Sequence, residues 1–163
     1  MNYCKINPCD IANGPGVRVS LFVAGCRRHC PGCFNPETWD FAAGEPFTPE
    51  VQERILGLLA PDHIAGLTVL GGEPFEPENQ PALLPLVKAA RAGFPDKTIW
   101  AYTGFLLDDL LPGGRAHGPA TDGILACIDV LVDGPFIQGQ RDISLVFRGS
   151  ANQRQINLKN YRK

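Results

Sequence analysis

Residues 17–33 read VRVSLFVAGCRRHCPGC, an apolar run followed directly by three cysteines in the spacing C-x3-C-x2-C. The apolar run is typical of a buried β-strand, and the glycine after it marks the start of a loop. Thiolates are soft ligands suited to iron–sulfur clusters, zinc and copper, so Cys26, Cys30 and Cys33 are candidate ligands of one metal centre. Three cysteines are one ligand short of a closed site. A four-iron cluster held here would keep one iron open for a ligand that is not protein.

A structural zinc loop is the alternative for these cysteines, with a fourth ligand from His29, Cys9 or elsewhere in the chain. Zinc knuckles favour C-x2-C pairs, which makes the observed spacing unusual for them. Arg27 and Arg28 fit two interpretations. As plain loop charges they carry no function, whereas beside an anionic cluster they would stabilise it and shift its reduction potential.

Composition narrows the class of protein. The chain has 163 residues, 44% of them hydrophobic, and a formal net charge of −2. This length and apolar content predict a single domain, residues 1–163, with a core of its own. The charge argues against a nucleic-acid partner bound through bulk charge. No run approaches the ~18 apolar residues of a membrane span, and no signal peptide is recognisable. We therefore expect a cytoplasmic protein with no membrane partner, in which thiols stay reduced and bind metal.

Strands and helices alternate outward from the cysteine loop. Apolar runs predict strands at 17–23, 66–70, 98–102 and 128–132. Helical spacing predicts helices that begin after Thr48 and that cover 81–92, 106–111 and 124–127. Alternation of this kind predicts parallel βαβ units, yet the chain is too short for an eight-unit barrel of about 250 residues. The predicted fold is α/β, a partial, open β/α barrel of about five to six βα units, with one side left for a partner protein.

The second predicted strand ends in a distinctive motif, Gly71, Gly72, Glu73 and Pro74. Its end is expected beside the cysteine loop, because the carboxyl ends of parallel strands share one edge of the sheet. Two glycines let a ligand approach the backbone closely, and exposed carbonyls together with Glu73 can accept hydrogen bonds from an ammonium group. Alone, the motif is an ordinary strand-end turn. Beside the cysteines it predicts a binding site.

Together, the cysteine triplet and the Gly-Gly-Glu-Pro strand end resemble the radical S-adenosylmethionine superfamily. Further segments are similar to one family within it, the activating proteins of anaerobic (class III) ribonucleotide reductases. These segments span nearly the whole chain: NGPGVR at 13–18, CPGCFN at 30–35, Trp39, WAYTGF at 100–105, VDGPF at 132–136 and RGSANQR at 148–154. The last of them is the most specific to this family.

The resemblance implies a 4Fe-4S cluster held by Cys26, Cys30 and Cys33, whose open iron chelates the amino and carboxylate groups of S-adenosylmethionine. Reductive cleavage of the sulfonium would give methionine and a 5′-deoxyadenosyl radical, which removes a hydrogen atom from a glycine of the reductase. The implied class is a glycyl-radical-activating oxidoreductase, with no catalytic side chain beyond the cluster and cofactor site. The implied partners are the large subunit of the reductase and an external electron donor such as flavodoxin. A homodimer is left open.

The resemblance also implies which residues contact S-adenosylmethionine. The strand-end motif supplies the contacts with the methionine part: Gly71, Gly72, Glu73 and Pro74. Many superfamily members place an aromatic residue just before the third cysteine, Cys33, which itself belongs to the cofactor site. Here Gly32 occupies that position and the aromatic residue, Phe34, follows the cysteine, as in the reductase activators. Gly32 and Phe34 are therefore the predicted adenine contacts.

Two other functions stay open. The first is activation of another glycyl radical enzyme, of the pyruvate formate-lyase type, whose activators also lack a ferredoxin-like insertion. The shorter length and the Arg-Gly-Ser ending of this chain favour the reductase. The second is a non-catalytic module that binds a metal or a cluster, which would neither bind nor cleave S-adenosylmethionine.

Several other polar and sulfur-containing residues carry weaker expectations. Cys4 and Cys9 are expected to bind no ligand, and Cys127 to lie in the core. Thr103 and Asp133, at strand ends, are candidate contacts of ribose, a bound cation or the partner. The segment 148–154 either docks the reductase or packs the terminus, and the basic residues in 154–163 are expected to be solvated.

Overall fold

The computed structural model describes residues 1–160, which form one mixed β-sheet with helices. The strands are β1 (Asn2–Asp10), β2 (Val17–Val23), β3 (Glu45–Pro46), β4 (Ile64–Gly71), β5 (Thr98–Tyr102), β6 (Val130–Asp133) and β7 (Arg154–Asn157). The α-helices are α1 (Pro49–Leu59), α2 (Gln80–Gly93), α3 (Leu107–Leu110) and α4 (Thr121–Cys127). Short 3-10 helices lie at Pro36–Thr38, Gln138–Gln140 and Leu158–Asn160. The predicted domain also includes 161–163, which lie outside the described residues.

The seven strands of this described part follow the order β3-β1-β2-β4-β5-β6-β7. The central strands β2, β4, β5 and β6 are parallel, and β1, β3 and β7 pair antiparallel at the two sides. The sheet does not close, so the α/β class and the open architecture are confirmed. The predicted number of βα units is wrong. Residues 1–160 contain four parallel strands, because the terminal segments pair as antiparallel strands instead of adding further units.

The helices pack on one face of the sheet. Strand side chains alternate between faces, and on this face Leu21, Val69 and Ala101 lie side by side in register. They share a buried core with helix residues such as Ile55 of α1 and Leu86 of α2. Burial of this apolar layer holds the helices against the parallel strands.

The opposite face of the sheet is partly polar and carries Arg18, which is fully buried. Its guanidinium donates to the hydroxyl oxygens of Thr68 at 2.7 Å and Thr98 at 2.9 Å, which ties β2 to β4 and β5. Burial lowers the pKa of Arg18 to about 10. The carboxyl-terminal half of the same face, beyond this anchor, is where a cavity opens.

Predicted and observed elements agree best in the centre of the chain. The predicted strands 17–23 and 98–102 are confirmed, and α1 begins at Pro49 with Thr48 at its N-cap position. Strands β1, β3 and β7 have no counterpart in the prediction. In the segment expected to be solvated, β7 is ordered as a strand but exposes three of its four residues, whereas Leu158 is buried and the expectation is wrong for it. Within residues 1–160, no helix is both long and apolar enough to cross a membrane.

Candidate functional site

A cavity of about 560 Å³ lies at the carboxyl ends of β2, β4 and β5, on the face opposite the helices. Its volume is in the range of small-molecule sites. Side chains of the sheet form its floor: Phe22, Leu70 and Tyr102. The cysteine loop, the end of β4 and residues 136–149, here called the covering segment, form its walls. Both motifs singled out by the sequence therefore lie at one edge of the sheet, as predicted.

The three cysteines of the triplet, Cys26, Cys30 and Cys33, all line this cavity. Cys26 is buried and the other two are half-buried. The loop is tight: the amide of Cys33 donates to the carbonyl of Cys30 at 3.1 Å, and the amide of Asn35 donates to Cys33 Sγ at 3.4 Å. Burial raises the pKa of the Cys26 thiol to about 11, so its thiolate needs a cationic partner, which a metal provides.

Backbone hydrogen bonds fix the start of the cysteine loop. The amide of Gly25 donates to the carbonyl of Thr38 at 2.8 Å, and the amide of Cys26 donates to the carbonyl of Trp39 at 3.0 Å. Both acceptors belong to the segment that follows the third cysteine. The chain after Cys33 therefore folds back onto the start of the cysteine loop, and these two hydrogen bonds hold the backbone of Cys26 in place.

The three thiols of the triplet share a cavity without meeting at one point. In the described part of the chain, no three side chains of His, Cys, Asp or Glu come together closely enough to hold one metal ion. The triplet thiols instead line the wall of a common cavity. Thiolates that hold an iron–sulfur cluster bind different irons and so surround a larger object.

The alternative fourth ligands lie elsewhere. Cys9 is exposed on β1, and Cys4 is half-buried near the carbonyl of Glu37. His29 stacks on Trp39, with ring centroids 4.5 Å apart, and is absent from the residues that line the cavity. Cys127 is buried in the core, as predicted. The structure thus brings neither His29 nor Cys9 to the triplet cavity.

The Gly-Gly-Glu-Pro strand end lies directly against the cysteine loop. The amide of Gly72 donates to the carbonyl of Val23 and the amide of Glu73 to that of Gly25, each at 2.8 Å. A Cβ atom on Gly72 would come within 2.6 Å of the Gly25 carbonyl oxygen. The glycine is therefore needed for close contact between two backbones. Gly71, Gly72 and Glu73 line the cavity, whereas Pro74 is buried outside it.

Glu73 is buried and joins the ends of two strands. Its carboxylate accepts hydrogen bonds from the amide of Phe75 at 3.0 Å, the hydroxyl of Thr103 at 2.8 Å and the amide of Gly104 at 2.7 Å. Burial raises the pKa of Glu73 to about 7, although these three donors oppose the shift. The group can therefore take up or release a proton near neutral pH.

Two buried donors of residues that line this cavity have no acceptor within residues 1–160: Arg28 Nε and Trp39 Nε1. Arg28 Nε lies 3.9 Å from Glu73 Oε2, and its guanidinium carbon lies 4.4 Å from the centroid of the Phe105 ring. Arg27 instead pairs with Glu76 and is 57% exposed. Buried donors without partners suit an anionic, acceptor-rich occupant such as an iron–sulfur cluster. Of the two predicted arginines, Arg28 faces the cavity.

Of the two predicted adenine contacts, only one lines the cavity. Phe34 lines the cavity and is 56% exposed, with its ring centroid 5.1 Å from that of Phe136. Gly32 does not line the cavity. It has a φ of +72°, and a Cβ atom there would lie 3.0 Å from the Gln138 side chain. The left-handed backbone, which favours glycine, explains why an aromatic residue is absent at this position.

The segment 148–154 is engaged within the molecule. Arg148 donates to the carbonyl of Gln153 at 2.8 Å, and the Gln153 side chain accepts from the amide of Gly149 at 2.8 Å. Arg154 donates to Asp133 at 2.9 Å. These contacts favour the packing alternative over docking for this segment. Asp133 does not line the cavity, whereas Thr103 does.

Sequence reasoning missed the covering segment. Seven of its side chains line the cavity: Phe136, Arg141, Asp142, Ile143, Leu145, Phe147 and Arg148. The hydroxyl of Tyr102 donates to the carbonyl of Phe147 at 2.9 Å, which ties the segment to β5. The available signal was a cluster of aromatic and aliphatic residues within an otherwise polar stretch.

Comparisons with known proteins agree with this site. The model of a family described as "4Fe-4S single cluster domain" matches residues 12–156. The chain is 46% identical over 155 residues to the anaerobic ribonucleoside-triphosphate reductase-activating protein of Haemophilus influenzae, which covers 94% of this chain and 96% of that protein. Identity to the protein of the same name from Escherichia coli K12 is 44%, with the same coverage. For the one from Enterobacteria phage T4, identity is 38%, with 94% of this chain and 92% of that protein covered.

Proposed function

Because the chain belongs to the 4Fe-4S single cluster domain family and to the family of anaerobic ribonucleoside-triphosphate reductase-activating proteins, we propose that it generates the glycyl radical in the large subunit of an anaerobic ribonucleotide reductase. When bound, a 4Fe-4S cluster and S-adenosylmethionine supply the chemistry, because reductive cleavage of the sulfonium gives a 5′-deoxyadenosyl radical that removes a hydrogen atom from a glycine. An external electron donor such as flavodoxin would provide the electron.

The observation that carries this proposal is that two separate motifs line one cavity. Cys26, Cys30 and Cys33 come from the loop after β2, and Gly71, Gly72 and Glu73 come from the end of β4. A module that only held a cluster would need the cysteines alone. A buried carboxylate beside them supports a second occupant that carries a positive group.

The triplet would hold the cluster, and its neighbours would balance the charge. The amide of Asn35 already donates to Cys33 Sγ, a contact that stabilises a thiolate. Arg28 would supply positive charge from the cavity wall, since thiolates and sulfides make the cluster anionic. Arg27 cannot share that role while it pairs with Glu76.

Glu73 would orient the ammonium group of S-adenosylmethionine. Its carboxylate is fixed by donors from Phe75, Thr103 and Gly104, so it offers an acceptor in a set position. A neighbouring ammonium favours the ionised carboxylate and would lower the pKa of Glu73 from about 7. Gly71 and Gly72 leave the adjoining wall free of side chains. We assign the adenine part of S-adenosylmethionine to the wall of the cavity near Phe34. Cys33 would then lie between the adenine part and the methionine part.

The cavity walls would exclude water during the radical reaction. Phe22, Leu70 and Tyr102 form an apolar and aromatic floor, and Phe136 and Phe147 cover it from the other side. Reactive intermediates survive only where solvent and other hydrogen donors are kept away.

Exposed apolar side chains beside the cavity support a protein as the substrate. On the covering segment, Ile143 is 92% exposed and Val146 is 63% exposed. Ile143 also belongs to the residues that line the cavity. Apolar groups at the rim of a cavity mark sites of macromolecular contact. We assign this contact to the large subunit of the reductase, because the reacting glycine must reach the cavity.

An anaerobic comparison of two protein substrates tests the proposal. Reduced, reconstituted protein and S-adenosylmethionine are mixed either with the reductase large subunit or with pyruvate formate-lyase. The expected result is a glycyl doublet in the electron paramagnetic resonance spectrum of the reductase mixture alone. A doublet only in the pyruvate formate-lyase mixture would show that the chain activates glycyl radical enzymes of that type instead. If protein with an intact cluster gives neither a doublet nor 5′-deoxyadenosine, the chain is a non-catalytic cluster-binding module.

A further inference from the structure

Trp39 carries a buried hydrogen-bond donor that has no partner. Its indole Nε1 has no acceptor among residues 1–160, and the residue lines the cavity that the triplet cysteines share. Buried N–H groups in folded proteins are almost always paired with protein or with another bound group. An unpaired donor at the wall of a binding cavity therefore indicates an acceptor that belongs to the occupant.

The other unpaired donor of this cavity has a different environment. Arg28 Nε lies 3.9 Å from a carboxylate oxygen of Glu73, so its charge already has an electrostatic partner. The indole N–H of Trp39 carries no charge and has no hydrogen-bond acceptor among residues 1–160. Its flat contact is with the ring of His29, at 4.5 Å between centroids and 20° between planes. This stacking holds the ring but leaves the N–H group without an acceptor.

The backbone of Trp39 is fixed to the first cysteine. The amide of Cys26 donates to the Trp39 carbonyl at 3.0 Å, and the Trp39 amide donates to the Pro36 carbonyl at 3.2 Å. Trp39 also borders a second cavity, together with Cys26 and His29. Trp39 is thus held against the ligand loop by its backbone and by its ring.

We infer that the indole N–H of Trp39 is a hydrogen-bond donor to a sulfur atom of the bound cluster, and that it raises the reduction potential of that cluster. Thiolate and sulfide sulfurs are the anionic acceptors that this cavity would contain. Hydrogen bonds to these sulfurs are one of the means by which proteins set cluster potentials. The reduced cluster carries one more negative charge than the oxidised cluster, so the donor stabilises the reduced form more. The inference rests on the proposed function only in requiring that Cys26, Cys30 and Cys33 hold the cluster.

Trp39 therefore acts on the cluster directly, and its effect is on the electron transfer that precedes radical formation. Its removal should make the cluster harder to reduce. We expect the ratio of reduced to oxidised cluster at a fixed potential to fall about tenfold, which corresponds to a midpoint about 59 mV more negative for a one-electron couple.

The test is a redox titration of the reconstituted cluster, without S-adenosylmethionine or reductase, in Trp39→Phe and in a variant with benzothienylalanine at position 39. Benzothienylalanine keeps the shape of the indole and lacks the N–H group, so it decides the outcome if Trp39→Phe folds poorly. Trp100→Phe is the matched control, because Trp100 is the other tryptophan of the chain and does not line the cavity. Labelling with indole-¹⁵N tryptophan adds a direct readout, the ¹⁵N hyperfine coupling to the reduced cluster.

The expected result is a more negative midpoint in both position-39 variants, an unchanged midpoint in Trp100→Phe, and a ¹⁵N coupling that disappears with Trp39 alone. Unchanged midpoints in the position-39 variants, or no coupling from Trp39, would overturn the inference. Because neither readout uses the reductase, a shifted midpoint without any glycyl radical would refute the proposed function and leave this inference standing. A chain that assembles no cluster would refute both.

Discussion

Single residues in the cavity differ in what surrounds them, and this difference sets their chemistry. Cys26 is buried with a raised pKa, whereas Cys30 and Cys33 are half-buried. Glu73 is buried but receives three hydrogen bonds, so its carboxylate is held in place. The thiols are suited to a metal cluster that supplies positive charge, and the carboxylate to a cationic group.

The first prediction concerns cluster binding. In Cys30→Ser we expect loss of at least about nine-tenths of the bound iron after anaerobic reconstitution, because a hydroxyl is a poor replacement for a soft thiolate. Iron and sulfide analysis with the visible absorption spectrum provides the measurement. Cys9→Ser is the control and should keep its iron, since Cys9 is exposed on β1. Loss of iron in Cys9→Ser would contradict this assignment and make Cys9 a cluster ligand.

Residue identity and spacing were enough to select the cysteines and Glu73, because few residue types can do this chemistry. They were not enough for side-chain direction. Arg27 and Arg28 are adjacent in the sequence, yet one pairs with Glu76 outside and the other lines the cavity. The conformation of the loop decides between them, and loop conformation depends on contacts with β4 that are distant in the sequence.

At the scale of elements, the site depends on the contact between the end of β4 and the cysteine loop. Two backbone hydrogen bonds of 2.8 Å, from Gly72 and Glu73, join them. The side chain of Asn79 adds two more, to the carbonyls of Ala24 and Glu73 at 2.9 Å each. A separate contact holds the starts of β5 and β6 together. The carboxylate of Asp129, directly before β6, accepts a hydrogen bond from the amide of Ile99 in β5.

The second prediction tests this contact with a matched pair of glycines. In Gly72→Ala the new methyl group would meet the carbonyl oxygens of Gly25 at 2.6 Å and Thr38 at 2.9 Å, so the cysteine loop must move. We expect about a tenfold or greater loss of S-adenosylmethionine affinity, measured by equilibrium dialysis. Gly57→Ala, in α1 with no atom within 4 Å, should leave affinity unchanged and stabilise the fold by about 0.5–1 kcal/mol. Equal affinities in the two variants would contradict this account.

The third prediction concerns Asp129 and acid. Burial alone would raise the pKa of Asp129, but donors from Ile99 and Arg91 outweigh it and the pKa is lowered. A carboxylate with a lowered pKa contributes stability that is present above its unfolded pKa of 3.8 and is lost as the pH falls through the folded value. Asp129→Asn should therefore cost about 2 kcal/mol near pH 7 and much less near pH 2.

Urea unfolding followed by circular dichroism at the two pH values measures this difference between the variant and the parent chain. A cost that is the same at both pH values would show that the charge of Asp129 has no part in stability. Lys159→Ala is a useful companion, because Lys159 Nζ lies 3.5 Å from the same carboxylate but is 61% exposed. Its effect should stay below about 1 kcal/mol.

Elements with strong apolar patterns were predicted well, and those with mixed patterns were not. The strand β2 reads VRVSLFV and its bounds agree with the prediction. The strand β1 reads NYCKINPCD, and its mixture of polar residues with a proline gives no clear alternation. Helix α2 continues through Pro85, because its apolar face with Leu83, Leu86 and Val87 is buried against the sheet. Tertiary packing overrides local preference there.

At the scale of the whole molecule, the helices cover one face of the sheet and the covering segment only partly covers the other. The central parallel strands were predictable from alternation and length. The antiparallel strands at both sides were not, because β1 has a mixed pattern without clear alternation and β3 and β7 are short segments of two and four residues. The covering segment was also missed. It exposes Ile143 and Val146 beside the cavity and is the surface that we assign to the reductase.

The fourth prediction tests this surface. In Val146→Asp, at a residue of the covering segment that is 63% exposed and does not line the cavity, we expect the concentration of reductase large subunit needed for half-maximal activation to rise about tenfold, because an apolar contact with the partner would be replaced by a charge. Cleavage of S-adenosylmethionine without the reductase should be unchanged. Ile11→Asp is the control, since Ile11 is 74% exposed and does not line the cavity. Equal activation by both variants and the parent chain would remove the covering segment from the interface.

The central claim is that this chain removes a hydrogen atom from a glycine of the reductase, and isotope transfer tests it most directly. The reductase large subunit is prepared with glycine deuterated at the α carbon and activated anaerobically with unlabelled S-adenosylmethionine. We predict 5′-deoxyadenosine that carries one deuterium, seen by mass spectrometry, in amounts matching a glycyl radical signal that has collapsed from a doublet to a singlet. Unlabelled 5′-deoxyadenosine from a reaction that leaves no radical on the reductase would contradict the claim.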